Sequence, residues 1–141
     1  MNPETVFSIV NALVMPQWLL MIFAPNWKWT QKLADSYLIP VLLAGTYAFY
    51  VVTSLSNLDF MSFSTLAGIK RLFSEEQSIL VGWIHYLCFD LVTGTWIYKD
   101  SFSRGSNRIM IGICLFFCLM LGPVGFLLYW IIRKLTKPRV M

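Results

Sequence analysis

Apolar residues fall in four long runs, and the breaks between them are short, polar and basic. Each run is close to the ~20 residues that a helix needs to cross a bilayer. The pattern predicts spans over about Thr5–Ala24, Tyr37–Leu55, Gln77–Ile97 and Ile109–Ile132. Pro25 closes the first, because proline lacks the N–H that a helix interior uses. Asp35 or Ser36 is expected to cap the second span and Asn107 the fourth. Ser74, with Gln77 three residues on, reads as a capping box for the third. Between the second and third spans, Phe60, Phe63, Leu66, Ile69 and Phe73 recur at helical spacing beside Lys70 and Arg71. That stretch is too short and too polar to span, and it predicts an amphipathic helix over about residues 60–73 lying in the interface. The expectation is a single all-α membrane domain over residues 1–141. It is an integral bundle of four transmembrane helices, with one short interfacial helix between the second and third.

Composition agrees with the pattern. The chain is 57% hydrophobic and 13% charged, against roughly 25% charged in a typical soluble domain, and its mean hydropathy is +0.66. A soluble core built from 141 residues cannot hide that much apolar surface. The net charge of +4 does not point to nucleic acid, because the cations flank the spans, where anionic headgroups attract them. If the N-terminus, middle loop and C-terminus share a side, that side holds Lys70, Arg71, Arg133, Lys134, Lys137 and Arg139. The other holds Lys28, Lys32, Lys99, Arg104 and Arg108. This count leans to both termini in the cytoplasm. Trp27, Trp29, Tyr98 and Trp130 fit the aromatic belts of a membrane surface. The first span is not a cleaved signal, since Glu4 precedes it and FAPNWKW follows. No Ser- and Arg-rich transit segment is expected ahead of the membrane domain. With Met1 at the start, the expectation is a complete protein of a bacterial inner membrane, ahead of a processed chloroplast membrane protein of a plant or alga.

The faces of the helices carry more. Cys114, Cys118, Gly122, Gly125 and Tyr129 form one mostly small stripe on the fourth helix. Small residues let helix backbones approach in lipid, so the stripe is expected to be a packing seam, kinked at Gly122-Pro123. Cys88, Cys114 and Cys118 are expected to pack as small residues, and the one-turn spacing of the last two is a poor geometry for a disulfide. On the second helix Tyr37, Tyr47 and Tyr50 either bond to neighbouring helices or line a groove for a long, flat, apolar ligand with polar ends. Asn11 and Gln17 in the first helix are costly in hydrocarbon unless paired, so both should face the bundle.

The third span holds the chemistry. His85 is the one histidine in the chain, and Asp90 follows five residues later. That spacing is about 140° around a helix and ~7.5 Å along it, so the two do not form a neighbouring pair. A carboxylate near the bilayer centre costs at least ~2.5 kcal/mol. One stripe carries Trp83, Tyr86, Asp90 and Gly94, and another carries Ser78, Gly82, His85, Phe89 and Trp96. Titratable groups in such surroundings are acid/base candidates, and a structural polar network is the competing reading. No metal is expected, because one histidine with scattered Glu75 and Glu76 falls short of a usual ligand set. A transporter is disfavoured by the lack of an internal repeat.

The stretch GIKRLFSEEQSILVGWIHYLCFDL, followed by DSF and GPVGFLLY, resembles the ABA-DEFICIENT FOUR-like family. The matching elements are Gly68, Phe73, Glu76, Trp83-Ile84-His85, Asp90-Leu91, Asp100 and Pro123-x-Gly125. The first two helices match only as apolar spans, with Ala24-Pro25. The family takes its name from a plant chloroplast membrane protein needed to make neoxanthin from violaxanthin. The resemblance implies an isomerisation that opens a carotenoid epoxide to an allene and a hydroxyl, with no net redox change and no cofactor. It needs an acid at the epoxide oxygen and a base at the nearby polyene carbon. His85 and Asp90 are then the proton handlers, with Trp83, Tyr86, Tyr47, Tyr50, Glu76 and Asn11 lining the substrate site. The alternative is a non-catalytic membrane protein that binds pigment or holds partner biosynthetic enzymes. The implied partners are membrane lipid and a carotenoid or other isoprenoid.

Overall fold

A computed structural model describes residues 2–54 and 59–136. Every regular element among them is helical: α1 (Pro3–Phe23), α2 (Lys28–Ser36), α3 (Leu38–Ser54), a 3₁₀ helix (Phe60–Ser64), α4 (Leu66–Leu72), α5 (Glu76–Ser103) and α6 (Arg108–Leu135). Four helical stretches are long and apolar enough to cross a membrane: α1, α2 with α3, α5 and α6. Leu55, the last residue expected in the second span, lies outside the described residues.

Local chemistry explains the boundaries. α1 ends at Phe23, just before Pro25. The short α2, with its Trp and Lys residues, is a helix that the apolar pattern does not announce. It joins α3 through Tyr37, which adopts the left-handed conformation at φ 49°. Ser36 holds the start of α3, its Oγ accepting from Leu38 N at 3.3 Å, whereas Asp35 pairs with Lys99 at 2.8 Å. Asn107 caps α6 by accepting from Ile109 N and Met110 N. The Ser74–Gln77 capping box does not form. Ser74 Oγ donates to the Arg71 carbonyl and Gln77 Nε2 to Ser54 Oγ. The reason is that Ser74 follows the last turn of α4, where backbone carbonyls lack helical partners. The single interfacial helix expected over residues 60–73 is instead two pieces broken at Thr65. Thr65 Oγ1 accepts from Gly68 N at 3.0 Å, and Gly68 packs so tightly on the Ser62 backbone that no Cβ fits.

α5 is the hub, packing against α1, α3 and α6. Gln17 reaches Thr95 Oγ1 at 2.8 Å in the core, as its cost in hydrocarbon requires. Tyr98 donates to the Pro25 carbonyl at 2.6 Å. These contacts, with Asn11 beside Trp83, show that α1 and α5 run in the same direction. α3 runs against α5, since Ser54 meets Gln77 and the Pro40 carbonyl meets Cys88.

The Gly122-Pro123 bend is a reversal. Leu121 has non-helical angles (φ −146°, ψ 54°), and beyond it the chain doubles back. Gly125 presses on the backbone of Cys118 and Cys114, which seven or eleven residues of straight helix would hold ~10–16 Å away. Phe102 stacks under Arg108 while Asp100 binds Arg133, so both ends of α6 lie beside the C-terminal end of α5. The arms, Arg108–Met120 and Gly122–Leu135, form a hairpin whose tip reaches Tyr86 and Asp90, midway along α5. Within the small stripe, Cys114, Cys118 and Gly125 thus form a seam between the two arms of one helix, while Gly122 and Tyr129 meet Asp90 and Asp100 on α5.

This reversal corrects the leaning towards termini on one side. The start of α1 and the end of α6 lie at opposite ends of the bundle, because α6 doubles back to the end at which it starts. Arg133 and Lys134 join the end that carries Lys28, Lys99 and Arg104. Lys137 and Arg139, counted in the same tally, lie outside the described residues.

Candidate functional site

The residues singled out in the sequence separate onto two faces of α5, as the five-residue spacing requires. His85 faces α3. Its ring packs on Tyr47 at a 5.5 Å centroid distance and on Phe89 at 4.7 Å. It lines a groove of about 470 Å³ between α3 and α5. Tyr47, Tyr50 and Ser54 form one wall, and Gln77, Ser78, Gly82 and His85 form the other. Phe60, Phe63 and Phe73 close one end. The groove combines aromatic walls, a few hydroxyl and amide groups, and one imidazole, which suits an apolar ligand oriented by few polar contacts.

Asp90 faces the other way. It meets the tip of the α6 hairpin, where Gly122 leaves room for the carboxylate and a Cβ would overlap it. The Cys118 thiol donates to the Asp90 carbonyl at 3.6 Å. One turn earlier, the Tyr86 hydroxyl donates to the Met120 carbonyl at 3.2 Å. Irregular backbone at membrane depth persists only where protein satisfies it. Tyr86 does so for Met120, a carbonyl freed where the helix breaks. The Asp90 carboxylate lies at the start of the returning arm, the positive end of that arm's dipole. Its Oδ2 is buried without a hydrogen-bond partner among the described residues. Trp83 and Asn11 belong to this side also: Trp83 Nε1 donates to Asn11 Oδ1 at 3.3 Å, and Trp83 stacks on Tyr86 at 5.3 Å.

The structure therefore brings together Tyr47, Tyr50 and His85 in one group, and Asn11, Trp83, Tyr86 and Asp90 in another. It does not place His85 and Asp90 in one pocket. Glu76 joins neither, standing exposed in the first turn of α5. Among the described residues, no cluster of three His, Cys, Asp or Glu side chains could hold a metal ion.

Sequence reasoning missed two groups. The first is the aromatic closure from Phe60, Phe63 and Phe73, whose helical spacing was visible but whose target was not. The second is a polar node at Asp100. Its Oδ2 accepts from Arg104 Nε and Arg133 Nε, each at 2.8 Å, and from the Tyr129 hydroxyl at 2.5 Å. Asp100 stands among the residues that carry the family resemblance, and the Arg104 spacing of four residues is a further signal. This node ties the returning arm of α6 to α5, and Trp96 meets Tyr129 edge to face beside it. Asp100→Ala leaves two guanidinium groups and a phenol without their shared acceptor. It is expected to lower the thermal midpoint of the detergent-solubilised protein by several degrees. Replacing Asp35, whose ion pair with Lys99 is more exposed, is expected to change it little.

Comparison with known proteins places the chain in a lineage. Residues 5–129 match the family described as ABA DEFICIENT 4-like. A curated relative, the chloroplastic Protein ABA DEFICIENT 4 of Arabidopsis thaliana, is 29% identical over 143 aligned positions, covering 95% of this chain. The chain spans 63% of the length of that relative. No solved structure matches. The family match covers both faces of α5 and the α6 hairpin up to Tyr129, and the chain belongs to the ABA DEFICIENT 4-like family.

Proposed function

We propose that the chain binds a carotenoid or related isoprenoid in the α3–α5 groove and isomerises it by acid/base chemistry at His85. The observation that carries this reading is an imidazole set in the wall of an aromatic groove at membrane depth. A neutral imidazole can take a proton at one nitrogen, and an imidazolium can return it. In the epoxide-to-allene change that the family resemblance implies, the polyene carbon gives up a proton and the epoxide oxygen gains one. The C–O bond breaks, a cumulated double bond forms, and the formula is unchanged. One shuttling ring balances that step without a cofactor. Tyr47 and Tyr50 offer hydroxyls to orient the polar end of the ligand. On this reading Asp90 and Tyr86 act through the hairpin, by holding its broken backbone against α5, and Trp83 and Asn11 support that face.

The compartment we propose is a chloroplast-type membrane, after the chloroplastic relative. That relative gives the bacterial inner membrane expected from the start of the sequence no support. A second reading, a pigment-binding or scaffolding protein without chemistry, is favoured by one observation. His85 makes aromatic contacts but no hydrogen bond among the described residues, so no second group orients its ring.

Binding is tested by purifying the chain in mild detergent from a carotenoid-producing host. The expected result is a co-purifying visible absorption band. Ser78→Phe, which puts a ring into the groove, should remove the band while leaving the helical circular dichroism intact. Colourless wild-type protein, or a band that survives Ser78→Phe, would count against the groove.

A further inference from the structure

The α6 reversal gives the bundle two unlike ends. At one end, Lys28, Lys32, Lys99, Arg104, Arg108, Arg133 and Lys134 gather around α2, the α5–α6 connection and both ends of α6, with Asp35 and Asp100 as their carboxylates. The other carries Lys70 and Arg71 together with Glu4, Asp59, Glu75 and Glu76, and Arg71 pairs with Asp59 at 3.2 Å. Lys99, Arg104 and Arg133 are engaged with Asp35 and Asp100. The remaining four cations of the basic end have no carboxylate partner among the described residues, and each lies over an aromatic ring. Lys28 and Lys32 lie over Trp29 at 5.9 and 5.1 Å, Arg108 over Phe102 at 5.0 Å, and Lys134 over Trp130 at 5.2 Å.

We propose that this end is a binding face for the headgroups of anionic phospholipid. Aromatic rings at the rim of an apolar bundle mark the depth of the headgroups, which is where these four cations are held. Cations at that depth attract anionic lipid, and salt screens the attraction. The phosphate comes from lipid and not from solution, because Trp29, Phe102 and Trp130 present exposed apolar surface beside each charge, and a free anion would leave that surface uncovered. The consequence is an oriented protein. By the excess of Lys and Arg, the basic end faces the side from which the chain inserts, and the start of α1 faces the other.

The test uses the full chain reconstituted in phosphatidylcholine vesicles, with tryptophan fluorescence quenched by brominated lipid. At low salt, brominated phosphatidylglycerol is expected to compete several-fold better than brominated phosphatidylcholine, and the preference should shrink as salt is raised. The variant Lys28→Gln/Lys32→Gln/Arg108→Gln/Lys134→Gln spares the Asp100 node, and its preference should fall towards parity with unchanged circular dichroism. Equal competition by the two lipids for the wild-type chain at low salt would overturn the proposal. So would a preference that the folded quadruple variant retains in full.

Discussion

Gly125→Ala is expected to prevent the chain from reaching its folded state, with a loss of more than about 3 kcal/mol of stability. The added methyl would land on the Cys118 nitrogen and Cα and the Cys114 carbonyl. These are backbone atoms of the opposing arm, and they cannot rotate away as a side-chain end can. The arms would have to separate, taking Tyr129 and Arg133 away from Asp100. Gly94→Ala should also be costly, because its methyl meets the ring of Trp18, which is fully buried. Gly45→Ala and Gly112→Ala face open space and should be neutral or stabilise by up to ~1 kcal/mol, through the entropy that glycine loses in a helix. Thermal unfolding in one detergent, followed by size exclusion, ranks the four. A well-folded Gly125→Ala protein would mean that α6 does not double back.

His85→Ala is expected to abolish the pigment conversion while leaving insertion and stability nearly unchanged. The ring stands exposed in the groove wall, with Tyr47 and Phe89 as its aromatic neighbours among the described residues, so its removal widens a space that is already open. His85→Phe keeps the aromatic packing and removes both nitrogens. It should therefore retain bound pigment and lose conversion, which separates proton handling from shape. Asp90→Asn should behave differently, since the amide keeps the size of the group that Gly122 accommodates. Conversion should fall only as far as the hairpin loosens, in step with the melting temperature. Equal and complete loss in both folded variants would place Asp90 in the chemistry after all.

The residues explain which parts of this arrangement can be read from the chain. Apolar runs of bilayer length predict the membrane bundle, because hydrophobic length is set by lipid thickness and needs no tertiary information. The divergence of His85 and Asp90 follows from helix geometry alone. The fold of α6 does not. A stripe of Cys114, Cys118, Gly122 and Gly125 looks the same whether it meets another helix or its own returning arm. The choice rests on the backbone angles of one residue, Leu121. The lining of the groove is hidden for a related reason. Phe60, Phe63 and Phe73 announce an apolar face, but only the break at Thr65 and the close seat of Gly68 on Ser62 aim that face at α3 and α5. Asp100 has a helical partner in Arg104, yet its stronger role comes from Arg133 and Tyr129, which only the hairpin brings near.

The measurement that bears most directly on the account is the pigment profile of carotenoid-producing hosts, made with and without the intact chain. The account predicts one new pigment whose mass equals that of its precursor, present with the wild-type chain and absent with the folded His85→Ala protein. Identical profiles across several carotenoid backgrounds, with the chain inserted and folded, would contradict it.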